Sequence, residues 1–154
     1  MTDVLAPCAG RVMGMADVPD PVFAGEMVGP GVAIDPLEGA SGRQTVLSPI
    51  GGKLVKVHPH AFVVLGANAE GKPLGVLVHL GIDTVKLEGR GFEVLVRQGD
   101  TVAAGDPVVT WDPATIEAPM SPVVPVVVMD APKGSVTSAL VGSSAGAGEV
   151  LFSL

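Results

Sequence analysis

The sequence predicts an all-β fold, an antiparallel β-sandwich or barrel with an internal pseudo-duplication and little or no helix. Three observations carry that expectation. Glycine occurs 21 times and proline 14 times in 154 residues, and no run free of both exceeds seven residues. An average α-helix takes about 11 residues and proline removes a helical hydrogen bond, so long helices are excluded. Valine occurs 27 times, a β-branched residue suited to pleated, half-buried surfaces, while the helix formers Glu, Lys and Gln are sparse. The apolar residues also come in short runs punctuated by Gly/Pro turns, the spacing of a sandwich. One free-standing domain over residues 1–154 is expected from the length.

In chain order, period-two patterns or short apolar runs predict strands at 4–5, 10–13, 32–34, 46–47, 52–57, 61–65, 76–79, 92–96, 107–110 and 149–154. The polar segment 67–73 between two of these is a hairpin turn with an exposed tip. Residues 112–118 fit one short helical turn, and the small-residue stretch 143–148 reads as a flexible loop before the final strand. V-L-A-P-C-A-G-R-V at 4–12 returns as V-L-S-P-I-G-G-K-L at 46–54, the signature of an internal duplication. A looser echo pairs 24–36 with 98–113, each carrying Gly-acidic turns before an apolar strand.

Charge and composition remove several function classes. Nine Lys and Arg against 16 Asp and Glu give a net charge of −7, which argues against nucleic acid or anionic lipid as the main partner. Five aromatic residues and no Tyr leave little for base stacking. The longest apolar stretch, 123–129, is interrupted by Pro125 and falls far short of the roughly 18 residues of a membrane span, so no membrane insertion is expected. The single Cys8 forms no internal disulfide, and without a basic n-region at the start the expected compartment is the reducing cytoplasm. Cys8 has no basic group nearer than Arg11 and reads as a small packed thiol, not a nucleophile.

The three histidines carry the chemistry. His58 and His60 stand two apart in V-H-P-H-A-F, so in extended chain both rings face one side, with Pro59 able to bend the segment. His79 ends the apolar strand at 76–79 and is followed by Gly81, which lets backbone approach the ring, and by Asp83, whose carboxylate can sit beside it. A lone strand histidine is ordinarily structural. Two histidine motifs together instead suit a phosphoryl relay: neutral imidazole is a nucleophile for phosphorus, and a second imidazole can donate to the phosphoryl oxygens.

The strings D-V-P-D-P-V-F-A-G-E-M-V-G-P-G-V-A-I-D-P, H-A-F, V-H-L-G-I-D-T-V-K-L-E-G-R-G-F and G-D-T-V-A-A-G-D-P-V-V resemble, in order and over nearly the whole chain, the glucose-type enzyme IIA (EIIA) family of the bacterial phosphoenolpyruvate-dependent sugar phosphotransferase system. The resemblance implies a phosphocarrier whose His79 accepts the phosphoryl group from HPr and passes it to a cysteine of an EIIB domain, with no metal and no cofactor required. It implies that His60 supports the phosphoryl group and that Asp20 and Asp83 flank the histidine pair; Asp83 also fits plain Gly-x-Asp turn chemistry. Val22, Phe23, Met27, Val28, Leu77 and Val85 match the apolar rim that docks both partners, although Met27 and Val28 fit core positions equally well. Many relatives carry a hydroxyl residue where His58 stands, so His58 is expected to orient His60 by hydrogen bonding or to compete for the phosphoryl group. The chain enters its first strand at Val4, without the longer leading segment of better-known members, and no membrane tether is expected of it. Regulatory binding to other proteins is allowed by the resemblance.

Two other classes compete. A lysostaphin-type zinc endopeptidase uses H-x-H and H-x-x-x-D, present here as His58-Pro59-His60 and His79 to Asp83, but in reversed order and without an export signal. A biotinyl or lipoyl carrier would share the tight turns, yet there is no M-K-M or D-K-A hairpin: Lys53, Lys56, Lys72 and Lys86 read as solvated and Lys133 as a turn residue.

Overall fold

The computed structural model describes residues 2–38 and 42–154. Among them the strands are β1 (Asp3–Leu5), β2 (Gly10–Gly14), β3 (Gly31–Asp35), β4 (Gln44–Leu47), β5 (Gly52–His58), β6 (Ala61–Ala67), β7 (Pro73–His79), β8 (Glu93–Val94), β9 (Thr101–Val102), β10 (Pro107–Trp111), β11 (Val124–Val128), β12 (Ser144–Ala145) and β13 (Val150–Ser153). Helix is confined to the single turn α1 (Pro21–Ala24) and short 3-10 turns, one of them Pro113–Thr115 within the expected 112–118. An eight-stranded antiparallel sheet in the order β12-β2-β3-β11-β7-β6-β5-β9 faces a three-stranded sheet, β4-β10-β8, and the β1-β13 pair. The large sheet ends in two free edges, so the architecture is a sandwich and not a closed barrel.

One face of the large sheet supplies Val12, Ile34, Leu54, Phe62, Val64, Val76 and Val78 to the main core, where they meet Val4, Val46, Val109, Trp111, Leu151 and Phe152 from the small sheets. Strand alternation explains the set along β6 and β7, where inward residues recur every second position, while a bulge between Leu54 and Lys56 sets the inward residues of β5, Leu54 and Val57, three apart. Cys8 lies inside this core, and burial pushes its thiol up to about 12, which fits a packed thiol. A second cluster occupies the opposite face: Met15, Val18 and Phe23, from the long connection between β2 and β3, cover Ala33, Ile82, Val123 and Val127.

The duplication is built into the hydrogen bonding. Leu5 N–H donates to the Pro49 carbonyl at 2.9 Å, and its counterpart Leu47 N–H donates to the Pro7 carbonyl at 2.9 Å. A Cβ on Gly10 would stand 2.2 Å from the Asp35 carbonyl oxygen, and one on Gly52 2.4 Å from that of Leu65, so both repeats start their second strand with a glycine for the same steric reason. The looser echo is corrected by the structure. Gly99 N–H bonds the Leu54 carbonyl as Gly142 N–H bonds that of Val12, and Gly105 N–H bonds Ser48 as Gly148 N–H bonds Ala6. The partner of 98–113 is therefore the C-terminal stretch from about 141 onward, not 24–36.

That correction also revises 143–148, which contains the edge strand β12, the counterpart of β9. Neither two-residue strand has a readable period. The strand expected at 92–96 shortens to Glu93–Val94 because the chain turns at once, Asp100 Oδ2 accepting from Arg97 N at 2.9 Å. The last strand shortens to Val150–Ser153. β11, buried at every position, was absent from the expected strands because Pro125 reads as a breaker. It is tolerated because β7 pairs only with 126–128, leaving Pro125 at a local edge where no partner needs its missing N–H.

Candidate functional site

β6 and β7 lie antiparallel with Ala61 opposite His79, and Leu80 N–H donates to the His60 carbonyl at 2.7 Å, which ties the end of β7 to the turn between β5 and β6. That register brings all three histidines together. The His60 ring meets His79 edge-on at 5.2 Å between centroids, 75° apart, and His58 stacks on His60 at 5.8 Å and 25°. Pro59 thus leaves both rings on one side. His58 is exposed, whereas His60 and His79 are partly buried.

The His79 ring is oriented from below by its own chain. Nδ1 stands 2.5 Å from the Gly81 carbonyl oxygen; a carbonyl only accepts, so Nδ1 carries the proton and Nε2 keeps the free lone pair. Gly81 adopts φ 87°, and a Cβ there would come within 2.5 Å of Thr84 Cγ2 and 2.8 Å of the Ser121 carbonyl oxygen, so glycine is required. Buried Thr84, a residue the sequence did not single out, donates its hydroxyl to the Leu80 carbonyl at 2.7 Å and fixes the same turn. Its only sequence signal is the G-I-D-T run.

Asp20 caps α1, its carboxylate accepting from Val22 N at 2.8 Å and Phe23 N at 3.3 Å, with Pro21 at the first helical position. This cap delivers Phe23, which is only 9% exposed and lies 5.1 Å from the His79 ring. Asp83, in a left-handed conformation at φ 63°, precedes the 3-10 turn Thr84–Leu87 without capping it by its side chain. Burial pulls His79 below the ordinary imidazole range, opposed first by the Gly81 carbonyl and then by the Asp20 and Asp83 carboxylates. His60 falls to about 4, through burial first and then the neighbouring His79 and His58. Each is therefore held neutral more firmly than a free imidazole.

The six apolar candidates divide. Val22, Met27 and Val85 are exposed, Met27 at 71%, while Phe23, Val28 and Leu77 belong to or pack against the second core cluster. Among the described residues no group of three or more His, Cys, Asp or Glu side chains is arranged to hold a metal ion, and no helix is long and apolar enough to cross a membrane.

Residues 2–133 match the family model described as phosphoenolpyruvate-dependent sugar phosphotransferase system, EIIA 1. The chain is 40% identical over 151 residues to the PTS system glucose-specific EIIA component of Bacillus cereus, covering 96% of this chain and 87% of that protein. It is 47% identical over 109 residues to the same-named component of Staphylococcus epidermidis, covering 71% and 61%. The solved structure of glucose permease IIA from Mycoplasma capricolum superposes with a TM-score of 0.79 at 34% identity, covering 97% of this chain and 93% of that one. Nothing in these matches supports a lysostaphin-type endopeptidase. With sequence and fold agreeing over most of its length, the chain belongs to the EIIA family and is a phosphocarrier, a phosphotransferase component of bacterial sugar uptake.

Proposed function

We propose that His79 is the residue that carries the phosphoryl group, taking it from phospho-HPr and passing it to the cysteine of an EIIB domain. The observation that carries this reading is the Nδ1 contact to the Gly81 carbonyl, which leaves Nε2 as the nucleophile. Nε2 attacks phosphorus in line; the P–N bond to the HPr histidine breaks as the P–N bond to His79 forms. Because Nδ1 keeps its proton, the ring becomes cationic as Nε2 gives up its lone pair. The Gly81 carbonyl, Asp20 and Asp83 all favour that cation, the direction in which each acts on His79. With Nδ1 protonated, the ring leaves phosphorus as neutral imidazole and not as its anion when the P–N bond breaks in transfer onward to a thiolate.

His60 donates an N–H to the transferring oxygens. Held neutral, it supplies a hydrogen bond without the full ion pair that would trap the phosphoryl group. His58, stacked on its far face, supports the orientation of the His60 ring. Of the six apolar candidates, exposed Val22, Met27 and Val85 form the docking rim, with Val28 and Leu77 half-buried behind them and Phe23 packed underneath as support, and the relay works in the cytoplasm on one domain. The sugar follows the partner; the named relatives are glucose-specific.

The test is intact mass after incubation with phosphoenolpyruvate, enzyme I and HPr. One acid-labile phosphoryl group is expected on wild type and His60→Ala and none on His79→Ala; uptake by His79→Ala at the wild-type level contradicts the assignment.

A further inference from the structure

The chemistry at His79 depends on where one carbonyl sits, and the turn that carries this carbonyl is held at few points. β7 ends at His79, and the chain leaves the sheet through a turn in which Gly81 (φ 87°) and Asp83 (φ 63°) are both left-handed. Such a turn persists only where contacts around it over-determine the backbone. Three contacts do so. Leu80 N–H donates to the His60 carbonyl at 2.7 Å, Ile82 and Ser121 exchange backbone bonds of 2.7 and 3.3 Å, and the Thr84 hydroxyl donates to the Leu80 carbonyl at 2.7 Å. Of the three, only the last is made by a side chain.

Thr84 is fully buried, one of two polar side chains so enclosed among the described residues; the other, Ser48, donates to the Ile50 carbonyl at 2.7 Å. A buried hydroxyl is costly unless it is bonded, and its removal here would strand the carbonyl of Leu80, itself a fully buried residue. The Thr84 methyl acts on the neighbouring residue. Cγ2 lies 2.5 Å from the point that a Cβ on Gly81 would occupy, so it fills the space left by the missing side chain. Leu80 is therefore pinned at both ends, its N–H by His60 and its carbonyl by Thr84, and the next carbonyl along, that of Gly81, is the one on His79 Nδ1.

We propose that Thr84 is a positioning residue for phosphoryl transfer: its hydroxyl and methyl hold Leu80 and Gly81 so that the Gly81 carbonyl stays on Nδ1 of His79 while the His60 backbone stays tied to the same turn. The proposal rests on the phosphocarrier reading and deepens it. Without the hydroxyl, the Leu80–Gly81 peptide rotates and carries the Gly81 carbonyl off Nδ1. The ring proton then settles on Nε2, where it blocks the lone pair that attacks phosphorus, and the ring loses an acceptor that favours its cation. Both effects fall on the chemical step. The exposed residues Val22, Met27 and Val85 are untouched, so binding of a partner is not altered.

The deciding comparison sets Thr84→Val, which removes the hydroxyl and keeps the shape, against Thr84→Ser, which keeps the hydroxyl. Two measurements are made: ¹⁵N NMR of the His79 ring in the unphosphorylated protein, which reads the nitrogen that carries the proton, and kcat and KM of phosphoryl transfer from phospho-HPr. Thr84→Val is expected to move the proton toward Nε2 and to lower kcat roughly tenfold with KM within about twofold, whereas Thr84→Ser keeps the wild-type tautomer and a kcat within about threefold of wild type. A purely structural threonine would lower stability in Thr84→Val and leave the tautomer and the kcat of the folded protein in place, which overturns the proposal; so does a loss of kcat with the tautomer unmoved. Thr84→Ser and Thr84→Ala differ in the hydroxyl alone and give the same comparison if Thr84→Val does not fold. Wild type that takes up no phosphoryl group overturns the phosphocarrier reading and this proposal together, while active wild type beside unmoved variants overturns this proposal alone.

Discussion

The two halves of the large sheet start alike and end differently. Gly10 opens β2 and Gly52 opens β5 under the same steric demand, and both strands are closed at the sheet edge by matching backbone bonds. From there one half runs through the long 15–30 connection, which lays Met15, Val18 and Phe23 across the outer face, and the other turns back in two residues. The short turn sets His58, at the end of β5, and His60, in the turn itself, beside His79 on β7; the long one supplies Asp20 and Phe23 from the other side. Duplication explains the scaffold, and the unequal connections explain why only one of two equivalent faces became a site.

The largest expected effect tests the shared part. Gly10→Ala and Gly52→Ala each force a Cβ into a backbone carbonyl, and each is expected to cost about 3 kcal/mol, the upper end for overpacking, read by chemical denaturation. A loss at one position and none at the other would break the equivalence of the halves. The next tests the long connection: Asp20→Ala removes the α1 cap at about 1 kcal/mol and takes a carboxylate away from His79. The His79 pKa then drops further, measurable by NMR titration, whereas Asp20→Asn, which can still cap, is expected to recover most of the stability without restoring the pKa.

The smallest effects test the short turn. His60 binds its proton near pH 4 when folded and near 6.5 when unfolded, so the unfolded state holds more protons between those values. Its contribution is fully present above about pH 6.5 and is lost as pH falls toward 4. His60→Gln is expected to flatten the acid side of the stability profile. His58→Ala removes one cause of the lowering and raises the His60 pKa by NMR; an unmoved value would mean that the stacked ring does not act on His60.

Much of this was legible in the sequence, for identifiable reasons. Alternation in 61–67 and 73–79 is regular because one face is core and the other is not, and the hairpin 67–73 is marked by its polar tip. β11 escaped because a strand buried on both faces has no period and Pro125 looks like a stop. The true second repeat escaped because G-S-S-A-G-A-G-E keeps only the glycines and small residues of G-D-T-V-A-A-G-D, the part that turn geometry requires. At the site the histidines stood out by scarcity. The Gly81 carbonyl on Nδ1 is a backbone contact with no side-chain signature, and the bulge between Leu54 and Lys56 that shifts the register of β5 is marked by no residue type.

The central claim is that His79 is phosphorylated on Nε2 because Gly81 occupies Nδ1. NMR of the phosphorylated protein with ¹⁵N-labelled histidine tests it directly, since phosphorus–nitrogen coupling and ring shifts identify both the residue and the nitrogen. The account predicts phosphorus on Nε2 of His79 with Nδ1 still protonated; phosphorus on Nδ1 of His79, or on His58 or His60, would contradict it.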